Sequence, residues 1–199
     1  MLASLLMTAM IAGSPPAARC ALKTPASCAP HQDWRYAFGA PFRRALAAFG
    51  GETRCTAYTG RSRPLATVLL DAINGAPHDP VRLADGTFLF TASRWHDGLD
   101  RGHVVVSAQG AIVAVAFNHP VGSRNVLEIY VRRRFSGRPA WFSALYDAEL
   151  ETEKIIAKYD PEATASVRIW RVSDNRKAAT RLDTFPLVDV NIAPPERVP

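Results

Sequence analysis

Between residues 81 and 133 the chain is cut into strand-length pieces at short, regular intervals. Val81 to Leu83, Thr87 to Ser93, His103 to Ala108, Ile112 to Asn118 and Val126 to Arg133 are rich in β-branched and aromatic residues. Asp85-Gly86, a stretch from Gly98 to Gly102, Gln109-Gly110 and Gly122-Ser123 separate them, and these are residue types that suit turns linking antiparallel strands. Pieces this short are held by neighbouring strands rather than by themselves, so the pattern predicts an antiparallel meander of about five strands. Leu127, Ile129 and Val131 alternate with Glu128, Tyr130 and Arg132, which gives that strand one covered and one wetter face. Val104 to Val106 and Ile112 to Phe117 are apolar throughout and fit the centre of the sheet.

Helical periodicity brackets the meander. Pro41 to Phe49 places Phe42, Leu46 and Phe49 on one face and stops at Gly50-Gly51. Pro64 to Asn74 places Leu65, Val68, Leu69 and Ile73 on another face, with a proline suited to a first turn. From Pro139 to Lys158, Phe142, Leu145, Leu150 and Ile155 recur on one side, with Asp147, Glu149, Glu151 and Glu153 expected on the other. Ser166 to Val172 reads as one more strand. With no internal repeat or linker, residues 41–173 are expected to form a single α+β domain with helices packed on the sheet. A Pro/Ala-rich arm over 19–40 precedes it and a polar, Pro-rich tail over 174–199 follows.

The uncharged run within Met1 to Gly13 is too short to span a bilayer and has the length of a signal-peptide core, so 1–18 is read as an export signal and the protein as periplasmic. Arg19 stands before Cys20 where a lipidation signal needs a small residue, so no stable membrane anchor is expected. If processing removes Cys20, Cys28 and Cys55 remain as the natural disulfide pair; a cytosolic chain would instead carry three thiols. The net charge of +6 favours acidic partners on encounter and says nothing about fold.

The most pointed cluster is Ser93-Arg94-Trp95-His96-Asp97-Gly98-Leu99-Asp100-Arg101-Gly102-His103, set between two expected central strands. It is too polar for core, and a tryptophan there suggests recognition, since loops held by a rigid sheet commonly carry binding residues. Arg132-Arg133-Arg134-Phe135 with Arg138 reads as a charged strand end rather than a nucleic-acid footprint. His96, Asp100 and His103 are the residues a metal- or carboxylate-dependent hydrolase would use, but their spacing matches no compact zinc pattern. The chain has no Gly-x-Ser-x-Gly elbow, His-Glu-x-x-His or phosphate loop, so no enzyme, metal or cofactor is called for.

Pro80 to Phe117 resembles the periplasmic inhibitor of vertebrate lysozyme (Ivy) family. In that family a strand enters a protruding Cys-Lys-Pro-His-Asp-Cys loop and two more strands follow. Here Ala92-Ser93-Arg94-Trp95-His96-Asp97-Gly98 follows the strand Thr87 to Thr91, with His96-Asp97 and a preceding basic residue in register and strands resuming at His103. The resemblance implies a partner-binding loop of Arg94, Trp95, His96 and Asp97, with His96 plugging the acidic cleft of a lysozyme or lytic-transglycosylase type enzyme. Asp97 would orient His96 or brace the loop, Arg94 would meet acidic groups at the rim, and Trp95 would supply buried contact area. Ser93 and Gly98 replace the family's two cysteines, which removes about 2 kcal/mol of covalent preorganisation on the chain-entropy view. A periplasmic immunity protein against a secreted toxin would show the same architecture with its contact on any surface, and a homodimer stays open.

Overall fold

The computed structural model describes residues 19–121, 124–160 and 164–186. The chain opens with a small loop closed by a Cys20–Cys28 disulfide and continues into helix α1 (Trp34–Gly50). A two-stranded ribbon, β1 (Arg54–Cys55) with β2 (Arg63–Pro64), leads into α2 (Leu65–Ala72). The meander follows as β3 (Val81–Arg82), β4 (Phe88–Arg94), β5 (Asp97–Val106), β6 (Ile112–Val121) and β7 (Arg124–Val131). Helix α3 (Ala140–Ile156) then carries the chain to β8 (Thr164–Val172), which lies parallel to β7, and β9 (Ala179–Pro186) closes the edge. The seven strands form one sheet in sequential order, and only the β7–β8 pairing is parallel. This is an α+β fold whose five-strand antiparallel meander is extended by two further strands.

The period-2 geometry of the strands sends alternate side chains to two separate cores. Phe88, Phe90, Ala92, Val104, Val106, Val115 and Phe117 face α1 and α2, whereas Leu89, Val105, Ala114, Ala116, Leu127, Ile129, Val167 and Ile169 face α3. That is why the centre of the sheet reads as uninterrupted apolar runs: both faces are covered. Gly102 permits the close approach of α2, because a Cβ there would lie 2.5 Å from Ile73 Cγ2 and 2.9 Å from Ala72 Cβ. Among the described residues no helix is long and apolar enough to cross a membrane.

Several expectations are corrected. Helix α1 begins seven residues before Pro41: Asp33 caps it by accepting the Arg35 N–H at 3.0 Å, and Gly39 (φ 50°) kinks it just ahead of Pro41. The proline-rich composition of 19–40 hid this first turn, whose Trp34 and Phe38 are buried beside Phe42, Leu46 and Phe49. Cys28 pairs with Cys20, not Cys55. Thr24 and Ser27 fold the segment back by donating to the Arg19 carbonyl at 2.9 and 2.7 Å, which brings the two Cα atoms within 4.2 Å of each other. Cys55 is a free thiol under Tyr130 and is pushed up to about 11 by burial. Glu149, expected on the wet side of its helix, is buried on the inner side with Leu145 and Thr152. Part of the tail forms β9; the export signal at 1–18, the Gly122-Ser123 turn and residues 187–199 lie outside the described residues.

Candidate functional site

The polar cluster is the tip of the β4–β5 hairpin rather than a long loop. Pairing runs from Phe88↔Val106 to Ser93↔Arg101, then shifts so that Arg94 pairs with Asp97, and Trp95-His96 alone make the turn. Residues 98–100 therefore bulge out of register. Asp97 shapes the bulge with one carboxylate oxygen, which accepts the N–H groups of Leu99 and Asp100 at 3.1 and 3.2 Å. His96 adopts a left-handed conformation (φ 63°), one that few residues other than glycine and asparagine take readily.

Neighbouring elements tether the stem of the tip. The Trp95 N–H donates to Asn74 Oδ1 at 2.6 Å, and Gly75 and Ser93 are joined because Gly75 N–H donates to the Ser93 carbonyl at 2.7 Å. On the other side, Asn118 of β6 donates from Nδ2 to the Leu99 carbonyl at 2.9 Å and accepts the Arg101 N–H. Arg94 pairs with Asp100 at 3.1 Å and lies 4.2 Å above the Tyr58 ring, while Tyr58 donates its hydroxyl to the Asn118 carbonyl at 2.8 Å. The four expected contact residues thus divide. Trp95, 63% exposed, and exposed His96 point outward with their rings edge to face, 5.2 Å apart; Arg94 and Asp97 are occupied in holding the turn.

Burial pushes the Asp100 carboxyl up to about 6, with the nearby charge of Asp97 adding to the effect and Arg94 opposing it. The folded chain therefore holds this proton more tightly than the unfolded chain does. Its contribution to stability is consequently lost as pH rises from about 4 through about 6, by no more than about 3 kcal/mol. Asp100→Asn is expected to remove this component. Urea denaturation of wild type and variant at pH 4.5 and 7 checks it: the variant should gain relative stability at pH 7 over pH 4.5.

His96, Asp100 and His103 do not converge. His103 is fully buried on the α3 side, with Nδ1 2.9 Å from Thr91 Oγ1 and Nε2 2.8 Å from Glu149 Oε1. Asp100 is turned to Arg94, and His96 stands at the tip. Among the described residues no three His, Cys, Asp or Glu side chains gather as metal ligands. The arginine run also divides: Phe135 packs on Trp141 with ring centroids 5.0 Å apart, Arg138 lies 4.9 Å from the Tyr146 ring centre, and Arg133 and Arg134 are exposed.

Sequence reasoning missed Asn74, Tyr58, Asn118 and Glu149. The last had a legible signal, since Leu145, Glu149 and Thr152 are spaced four and three apart and so share a helical face. The other three lie 21, 36 and 19 positions from their partners Trp95, Arg94 and Leu99 respectively, beyond any local pattern. No family model, curated protein or solved structure matches this chain.

Proposed function

We propose that this chain is an exported binding protein of the lysozyme-inhibitor type, with no catalytic role of its own, that presents Trp95 and His96 to the acidic cleft of a glycan-cleaving enzyme. The observation that carries the reading is an exposed tryptophan–histidine pair on a two-residue turn whose stem is fixed from two sides. Such a tip loses little conformational entropy on docking, which is what a covalent loop would otherwise supply. The anchors from Asn74, Asn118 and Asp97 offset the absence of cysteines at Ser93 and Gly98. An imidazole brought between a catalytic acid and its partner carboxylate has a nitrogen to offer each, and occupation of the cleft excludes the glycan. With a charge of +6, the chain associates faster with a target enzyme of acidic surface than with a strongly basic one.

The test is inhibition of peptidoglycan lysis by an animal lysozyme, a goose-type lysozyme and a soluble lytic transglycosylase. Wild type is compared with Trp95→Ala and with His96→Asn, which keeps a residue able to hold a positive φ. Inhibition of at least one enzyme is expected, weakened tenfold or more by each substitution with an unchanged melting temperature. No inhibition at micromolar protein, or variants that inhibit as strongly as wild type, overturns the reading.

A further inference from the structure

Helices α1 and α2 stop short of β7 and β8, and a cleft of about 500 Å³ remains over that part of the sheet. Its floor is Phe117 and His119 of β6, Glu128 and Tyr130 of β7, and Arg168 and Trp170 of β8; the segment from Arg54 to Ser62 forms one wall. The volume lies in the range of small-molecule sites. We propose that this cleft binds a small planar molecule bearing one carboxylate, with the flat body against Trp170 at the open end of the Phe117–Tyr130–Trp170 file and the carboxylate on Arg168.

Two features select that chemistry. The first is the file itself: neighbouring ring centroids are 5.8 and 6.1 Å apart and their planes differ by only 25° and 10°. The Tyr58 ring, 6.0 Å from Phe117, covers the inner end of the file, and the half-buried Trp170 ring at its outer end offers an apolar surface on which a flat group gains burial and ring contacts. The second is an excess of donors over acceptors. Glu128, almost fully buried, already accepts from Trp170 Nε1 on one oxygen and from Arg168 Nη1 at 3.3 Å on the other, with His119 Nε2 at 3.5 Å. A cation would have to compete with these partners for that carboxylate. Arg168, by contrast, keeps a buried Nε with no hydrogen-bond partner among the described residues, and the second guanidinium at the rim, Arg54, bonds Ser62 through Nε and Nη2. Two guanidinium groups against one carboxylate leave a single positive charge, and a planar fork matches a carboxylate in shape.

The probe is 2-naphthoate, with the neutral 2-naphthamide as its control, measured by calorimetry on the whole protein. Naphthoate is expected to bind at least tenfold more tightly than the amide. Arg168→Lys, which retains the charge beside Glu128 and so the fold, is expected to weaken naphthoate at least fivefold. A second readout needs no variant: Cys55 lines the cleft and is the chain's one thiol outside the disulfide. Saturating naphthoate is expected to slow its alkylation by N-ethylmaleimide at least fivefold. No binding at millimolar probe, equal binding of acid and amide, an unaffected Arg168→Lys variant or an unprotected Cys55 each overturns the proposal.

Discussion

Replacing Glu149 with alanine is expected to destabilise the fold by about 2 to 6 kcal/mol, because it strips two buried N–H groups of their acceptor at about 1 to 3 kcal/mol each. Glu149 sits on the inner face of α3 and is 1% exposed. Its two oxygens serve different strands: Oε1 is 2.8 Å from His103 Nε2 on β5, and Oε2 accepts from Asn118 Nδ2 on β6 at 2.8 Å. A carboxylate can only accept, so the imidazole presents Nε2–H to it, while the Thr91 hydroxyl can either donate to or accept from Nδ1. Alanine would leave the His103 Nε2–H and one of the two Asn118 Nδ2–H groups buried without an acceptor, the other still bonding the Leu99 carbonyl, and each orphaned N–H carries its full desolvation penalty. For a chain of this size the loss corresponds to a fall in melting temperature of roughly 10 °C, or somewhat more, readable by calorimetry. The double variant His103→Leu/Glu149→Leu removes the imidazole donor together with its acceptor and is expected to recover the part of the loss that comes from His103, while the Asn118 amide still lacks one acceptor. If the double variant is as unstable as the sum of the singles, the two residues do not act as a pair.

The same network links stability to the tip. Asn118 joins Glu149 below to the Leu99 carbonyl and the Arg101 N–H above, so the bulge that shapes the hairpin rests on a polar contact with α3. Loss of Glu149 is therefore transmitted to the tip through a single side chain.

The meander was legible because, away from the β4–β5 tip, strand pattern and turn chemistry agree along the described part of Val81 to Val131, where local residues fix local structure. The face of α2 was legible for the same reason: Leu65, Val68, Leu69 and Ile73 are all buried. The β7–β8 pairing is different. It joins strands separated by all of α3, and nothing in the strand sequences distinguishes a parallel partner from an antiparallel one. At the tip, the residue types identified an exposed recognition segment, but its extent was misread. Gly98 and Gly102 suggested a loop, whereas both belong to β5, one at a bulge and the other where α2 presses on the strand. Arg94 and Asp97 read as contact residues because their partners, Asp100, Tyr58 and the backbone of the bulge, become neighbours only in the folded chain.

Trp34→Ala is expected to cost about 3 to 5 kcal/mol, as truncation of a buried aromatic does. The indole is fully buried and its ring centre lies 5.7, 5.9 and 5.4 Å from those of Phe38, Phe42 and Phe90. Removing it opens the cluster that joins both halves of kinked α1 to β4. Tyr36, two residues away and 84% exposed, is the internal control: Tyr36→Ala is expected to stay within about 0.5 kcal/mol of wild type. Trp34→Phe separates packing from polarity, because the indole N–H has no partner among the described residues and phenylalanine removes it along with only part of the ring volume. That variant should therefore lose far less than alanine, and urea denaturation of the three proteins checks the order. A Trp34→Ala protein as stable as Tyr36→Ala would mean that the segment before Pro41 adds nothing to the core, and that the helix proper begins where the proline does.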